Sequence, residues 1–382
     1  MSRAICFLFP NDLGELDGSR LSTVHHALGL GQRGFTVEVL CIRSDRDVPT
    51  AFRGVRTLAT LSTGNRKLDY VLFPLTASWK LKMLERQFDL IIARTAPAAA
   101  AALKCTKPVI YHLHDWQYLL ADVHNRVPFW PRRFDVLVDA LDRKYMLNSS
   151  AVTVTSPLLL QLLREYLPSV TGQVVPNGVD PYLFTPDESS GHKSQHVLTV
   201  GFIGSSRAQY GLMVLLHALQ IARRTESRIR ALVVGNVSDR MIDQARLLGL
   251  QDVQFAGQVE YHRLPKWINE MDICVSPLQR IKGAELYTEF AQPFKVLESM
   301  ACAKPVIVTP LQEQRRIVNE ADCGFVTKDF TSRALAECIQ SAFETTDLTR
   351  HGRNGRGYVM VHHTWEKSCD ALASLCDRFV PG

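Results

Sequence analysis

Short apolar runs alternate with helical stretches along nearly the whole chain, and the alternation starts twice. Ala4–Phe9 (AICFLF) reads as a strand. Leu21–Gln32 has helical spacing, Gly34 ends it, and Val37–Cys41 is the next strand. Leu90–Ala93 and Val109–Leu113 each follow a helix-like stretch, and Val152–Val154 follows another. Strand, helix and strand in repetition demand a parallel sheet with helices on its faces. The pattern breaks at Val174–Pro186 (VVPNGVDPYLFTP), where three prolines and an Asn-Gly pair cluster before the polar run Asp187–Gln195. A second series then begins, with strands expected at Leu198–Ile203, Ala231–Val234, Val253–Phe255, Ile273–Val275, Val306–Val308 and Gly324–Val326. The fold class is α/β, with two doubly wound parallel sheets, an arrangement that places ligands outside the carboxyl ends of strands. A length of 382 residues suits two such domains.

Composition narrows the function. A net charge of +6 is compatible with anionic substrates or an anionic surface and too weak to imply nucleic acid. No apolar run approaches the roughly 18 residues of a membrane span, and the N-terminus reads as a first strand rather than a leader. The nine cysteines are odd in number and form no C-x-x-C pair, so they read as reduced core thiols of a cytoplasmic protein.

Several motifs point away from their usual meaning. Gly29-Leu-Gly31-Gln-Arg-Gly34 closes a helix, whereas a dinucleotide fingerprint opens one. Gly29 and Gly31 are expected to allow close helix–sheet packing and Gly34 to cap the helix. Asp45-Arg-Asp47 falls in a polar loop and reads as solvated rather than metal-binding. Asp135, Asp139 and Asp142 share a helical face, read as charged and solvent-facing. No H-E-x-x-H, G-x-S-x-G or Walker loop occurs.

Five segments carry chemistry. Val200-Gly-Phe-Ile-Gly-Ser-Ser-Arg207 runs a strand into a glycine turn before a helix over Gly211–Arg223, where backbone N–H groups can approach phosphate. In Glu289-Phe-Ala-Gln-Pro-Phe-Lys-Val-Leu-Glu298, Pro293 opens a helix and Lys295 sits in its first turn. A cation there is unfavourable unless an anion is near. Glu298, one turn on, is placed to accept both hydroxyls of a ribose. Val175-Pro-Asn-Gly-Val-Asp180 with Phe184 is the third segment. His114-Asp115, at a strand end, is the fourth, and Phe255-Ala-Gly-Gln-Val259 offers backbone groups to a flat base.

As a set these segments, with Val24–Gly34 (VHHALGLGQRG) and the terminal helix bearing Trp365, resemble family 4 glycosyltransferases, of GT-B fold. The resemblance covers nearly the whole chain. It implies two Rossmann-like domains facing a central cleft, an acceptor domain over 1–178 and a nucleotide-sugar donor domain over 179–363. A final helix, about 364–382, crosses back to the first. It also implies metal-independent transfer with retention and no cofactor beyond the donor substrate. Three positions depart from the family pattern. Phe290 stands where a carboxylate is expected, one residue from Glu289. The usual basic pair is displaced, with Ser205 and Tyr210 in its place and Arg207 and Lys295 as substitutes.

The expected function is retaining transfer from a nucleotide-diphosphate sugar to a hydroxyl acceptor, lipid-linked or a cell-envelope glycan. The alternatives are an inactive GT-B scaffold and a sugar-nucleotide epimerase. His114, Arg207 and Lys295 are the expected catalytic residues. Gly18, Gly204, Ser205, Ser206, Val259, Ala291, Gln292, Pro293, Phe294 and Glu298 are expected to bind the donor. Aromatics beside cations in 70–86 (YVLFPLTASWKLKMLER) and 127–134 (VPFWPRRF) suggest peripheral contact with a cytoplasmic membrane face. Pro74, Pro128 and Pro131 argue against long clean helices in those two segments.

Overall fold

The structure is a computed structural model that describes residues 3–11, 13, 18–42, 54–113, 116, 135–187 and 197–380, apart from the side chains of Arg66 and Lys67. Asp45, Asp47, His114, Asp115 and the segment 127–134 lie outside the described residues. The chain divides into two compact units: Met1–Gly178 with Gly283–Tyr287 and Trp365–Gly382, and Val179–Lys282 with Thr288–Thr364.

In the first unit the strands are β1 (Ala4–Phe9), β2 (Thr36–Ile42), β3 (Arg56–Thr60), β4 (Leu90–Arg94), β5 (Val109–His112), β6 (Ala151–Val154) and β7 (Gly172–Val174). They form one parallel sheet in the order β3-β2-β1-β4-β5-β6-β7. Its helices are α1 (Gly18–Gln32), α2 (Arg66–Leu84), α3 (Ala96–Ala102), α4 (Asp135–Asn148) and α5 (Pro157–Tyr166). β1 is an interior strand, between β2 and β4, and all six of its residues are buried.

The second unit holds β8 (Leu198–Ile203), β9 (Ile229–Val234), β10 (Gln254–Gly257), β11 (Ile273–Ser276), β12 (Val306–Val308) and β13 (Gly324–Val326), parallel in the order β10-β9-β8-β11-β12-β13. Around them lie α6 (Leu212–Ala222), α7 (Asp239–Leu247) and α8 (Leu264–Asn269), and, after the short α9 (Glu285–Glu289), whose residues up to Tyr287 group with the first unit, α10 (Phe294–Ala301), α11 (Gln312–Ala321), α12 (Ser332–Glu344) and α13 (Leu348–His362). The last helix, α14 (Trp365–Asp377), belongs to the first unit and packs on α1.

The α1–α14 contact explains the doubled histidine and the terminal tryptophan. His25 stacks on Trp365, with ring centroids 4.4 Å apart. Buried His26 bonds Ser368 Oγ through Nε2 at 2.8 Å, and that hydroxyl donates onward to the Pro176 carbonyl. A hydroxyl has one hydrogen and a carbonyl only accepts, so Nε2 of His26 must carry the proton.

Four local expectations are corrected. Gly29 serves helix–helix rather than helix–sheet packing, because a Cβ there would collide with Cys369 Sγ of α14, while Gly31 faces open space. Asp142 is buried, not solvent-facing. It accepts Tyr111 Oη at 2.6 Å, and burial pushes its carboxyl up to about 6. Asp139 turns to Arg143. Finally, α2 runs through Pro74 as one helix of 19 residues. The lost N–H bond is tolerated because one face of α2 is anchored by Tyr70, Phe73, Ala77 and Leu81, all buried.

Candidate functional site

The site grows from the carboxyl end of β8. The strand ends at Ile203 and the chain turns at Gly204, whose N–H donates to Val234 O at 2.9 Å. Ser206 N–H donates to Asn236 O at 3.2 Å. The sequence offers these N–H groups to phosphate, but two of the three are already committed across to the β9 loop. Among the described residues only Ser205 of the turn has an N–H without a partner. Arg207 is exposed, with no ion pair among the described residues. A 3-10 turn (Ala208–Tyr210) and Gly211 then lead into α6, so that helix starts later than the sequence suggests.

Lys295 stands opposite. Pro293 is the N-cap of α10 and Phe294 its first residue, which puts Lys295 in the first turn. Its Nζ is buried and has no hydrogen-bond partner among the described residues. It lies 5.1 Å from the Phe202 ring centroid and 4.7 Å from that of Tyr210. The aromatic faces stabilise the cation only in part. A Cβ on Gly204 would come within 3.3 Å of Nζ, so the ammonium sits directly against the turn. Ser276 Oγ, at the end of β11, is also buried without a partner, and a small cavity lined by Ile203, Ser276, Lys295 and Ser299 joins the two groups. Burial pushes the Lys295 ammonium down to about 8, against the pull of Glu298.

Glu298 is one turn further along α10 and buried. Its Oε1 accepts the Tyr261 hydroxyl at 2.9 Å. Burial pushes its carboxyl up to about 7, opposed by that hydrogen bond and by Lys295. Tyr261 is held in turn by Phe184, whose buried ring meets it edge-on at 5.4 Å. Phe184 is fixed by a tight turn in which Asp180 Oδ1 accepts the N–H groups of Tyr182 and Leu183. The Asn-Gly-Val-Asp segment therefore supports the carboxylate through two aromatic rings.

The remaining expected residues divide. Gln292 is buried and donates to Glu313 Oε1 at 2.8 Å, tying its loop to α11. Ala291 N–H bonds Thr288 O, and Val259 is half-buried against the core after β10. Gly18 opens α1 in the first unit. His114 lies outside the described residues. Phe290 is a core residue. Glu289 is occupied, pairing with Arg280 and accepting Gln312 N–H, the first of α11, at 3.2 Å. It caps a helix. Sequence reasoning missed Tyr261 and the Phe202–Tyr210 ring pair. The only signal was Tyr210 itself, standing where a lysine was expected.

The opposite shifts of Glu298 and Lys295 give a bell-shaped pH dependence. A nucleoside diphosphate is expected to bind best between about pH 7 and about pH 8, where Glu298 is ionised and Lys295 protonated. Affinity falls on the acid side as the carboxylate protonates and on the alkaline side as the ammonium loses its charge. The two limbs belong to the pair rather than to either residue. Calorimetric titration from about pH 5 to about pH 10 reads this bell; a flat profile contradicts it.

Comparison with known proteins bears on the same architecture. Residues 16–183 match a family model described as Glycosyltransferase Family 4, and residues 197–345 match Glycosyl transferases group 1. The lipopolysaccharide 1,2-N-acetylglucosaminetransferase of Salmonella typhimurium is 20% identical over 236 residues, 57% of this chain and 60% of that protein. The chain spans about half to two thirds of the length of the curated relatives it matches. Sucrose-phosphate synthase from Thermosynechococcus elongatus has a similar fold, with a TM-score of 0.80 at 17% identity over 98% of both chains. Anabaena HepE, solved with UDP and glucose, gives 0.73 at 19% identity over 97% of this chain and 98% of that one. The chain thus carries a region matching glycosyltransferase family 4 in its first half and one matching glycosyl transferases group 1 in its second, on a GT-B fold.

Proposed function

We propose that the protein transfers a sugar, with retention, from a nucleotide-diphosphate sugar to a hydroxyl acceptor. The observation that carries this is Lys295 Nζ, a buried cation without a hydrogen-bond partner among the described residues, held against the Gly204 turn one helical turn from buried Glu298. Burying an ammonium without a hydrogen bond is costly, and a diphosphate offsets that cost. Breaking the bond from anomeric carbon to phosphate oxygen leaves an oxocarbenium-like carbon and a diphosphate carrying one more negative charge. Lys295 and the free Ser205 N–H stabilise that charge in a dry site, where each acts more strongly than in water. The acceptor oxygen attacks from the face the diphosphate leaves and gives its proton to the departing phosphate oxygen. His114 is assigned to hold a donor sugar hydroxyl, and no metal is assigned a part.

Structural likeness to a protein solved with UDP and glucose supports a nucleotide-sugar donor. Likeness to a lipopolysaccharide sugar transferase supports an envelope or lipid-linked acceptor. A cytoplasmic location accords with nine free cysteines, seven of them buried. Glu298→Ala is expected to weaken nucleoside diphosphate binding by about 1–3 kcal/mol, through loss of charge-assisted bonds to ribose hydroxyls. Equal affinities of wild type and variant would overturn the ribose assignment.

A further inference from the structure

We propose that α2 and α4 form a face that docks the first unit on an anionic lipid surface. The two helices come from crossovers that run the same way along the sheet, β3 to β4 and β5 to β6, as does the β4-to-β5 crossover of α3 between them, so right-handed connections place them on one side. Both pack against α3, whose sequence is only alanine and one proline and adds no long side chain between them.

Each helix buries one face and leaves a second apolar face in solvent. On α2, Leu68, Val71, Leu75, Trp79 and Met83 follow helical spacing and are 46%, 69%, 61%, 57% and 63% exposed. On α4, Val136, Leu137 and Leu141 are exposed. Single exposed apolar residues are ordinary; two stripes on the helices that flank α3 are not. Exposed Lys82 continues the α2 stripe, Arg86 follows just beyond the helix, and exposed Lys144 continues the α4 stripe.

The carboxylates near these stripes are turned elsewhere. Asp69 is buried and accepts from Ser62 and Thr63, and Glu85 accepts from Thr106. Asp135, Asp139 and Asp142 share a different face of α4, with Asp139 on Arg143 and Asp142 on Tyr111. The exposed stripes thus join apolar side chains to cations alone. A second copy would set cations against cations. An anionic bilayer accepts both, with apolar side chains at the acyl boundary and Lys and Arg among the headgroups. No helix among the described residues is long and apolar enough to cross a membrane, so the contact is peripheral.

Cosedimentation with vesicles tests this without turnover or nucleotide, so its outcome is separate from that of the donor site. Vesicles of phosphatidylcholine alone, and of phosphatidylcholine mixed with phosphatidylglycerol, are compared at low and high salt. The wild type is expected to pellet with the anionic vesicles at low salt and to be released by high salt. Two double variants, Leu75→Glu with Trp79→Glu and Lys82→Glu with Arg86→Glu, are each expected to bind about tenfold more weakly or worse. Cooperative thermal unfolding shows that they are folded, and the second pair touches no core position. Protein that stays in the supernatant with anionic vesicles at low salt overturns the proposal. So does undiminished pelleting of the Leu75/Trp79 variant. Dimers in sedimentation velocity that the same variants dissolve, without vesicle binding, would assign the face to a second copy instead.

Discussion

Lys295→Met is expected to cost the protein its donor while making it more stable. Turnover should fall by about 100- to 1,000-fold, the loss typical of a preorganised group facing developing charge. Stability without nucleotide should rise by on the order of 1–2 kcal/mol, because a buried cation without a hydrogen-bond partner among the described residues is replaced by an apolar chain of similar length. The pH dependence gives the same sign. Glu298 is raised from 4.5 to about 7 in the folded protein, so its contribution is present at low pH and lost as pH rises through about 7. Lys295 is lowered from 10.5 to about 8, so stability rises again only above about pH 8. For these two groups the ligand-free protein is least stable where both are charged, which is also where it should bind nucleotide best. In the methionine variant the alkaline rise should vanish. Thermal unfolding across pH, with and without nucleoside diphosphate, measures all of this. A variant that is destabilised and still binds would contradict it.

Gly235→Ala is the second large effect. Gly235 has φ of +135°, and a Cβ there would collide with the Gly204 carbonyl oxygen. Neither atom can yield cheaply, since Gly235 N–H is bonded to Gly257 O and Gly204 N–H to Val234 O. We expect a loss of about 3 kcal/mol or more, a fall in Tm of roughly 6–12 °C, and weaker nucleotide binding because the displaced group is the turn beside Lys295. Gly257→Ala is the control. Its φ is +72° but a Cβ meets nothing within 4 Å, so it should cost only about 1–2 kcal/mol. Similar losses for the two variants would mean that backbone strain alone, not the collision, sets the cost.

The sheets were legible because their central strands are buried on both faces and so read as unbroken apolar runs. β3 was not. It is an edge strand in which only Thr60 of five residues is buried, and its sequence carries little sheet pattern. Lys295 and Glu298 were legible from their position on a helix opened by Pro293. What isolates Lys295 was not, because Phe202 and Tyr210 approach it from a distant stretch of chain. The same limit hid Tyr261 behind Glu298. The carboxylate at 289 was ambiguous by spacing alone, and only its bonds to Arg280 and Gln312 reveal a helix cap. Pro74 misled because propensity is a local rule, and the buried face of α2 overrides it.

Residues 365–377 lie last in sequence yet complete the unit that is made first. Translation therefore does not finish this protein in the order it writes it. When residue 178 has left the ribosome, the face of α1 that carries His25, His26 and Gly29 still waits for a partner almost 200 residues away. At roughly 5–20 residues per second that wait is about 10–40 s, long enough for an uncovered helix face to recruit a chaperone or a neighbouring chain. A nascent chain stalled just before residue 365 should hold its second unit nearly whole and its first unit open to protease.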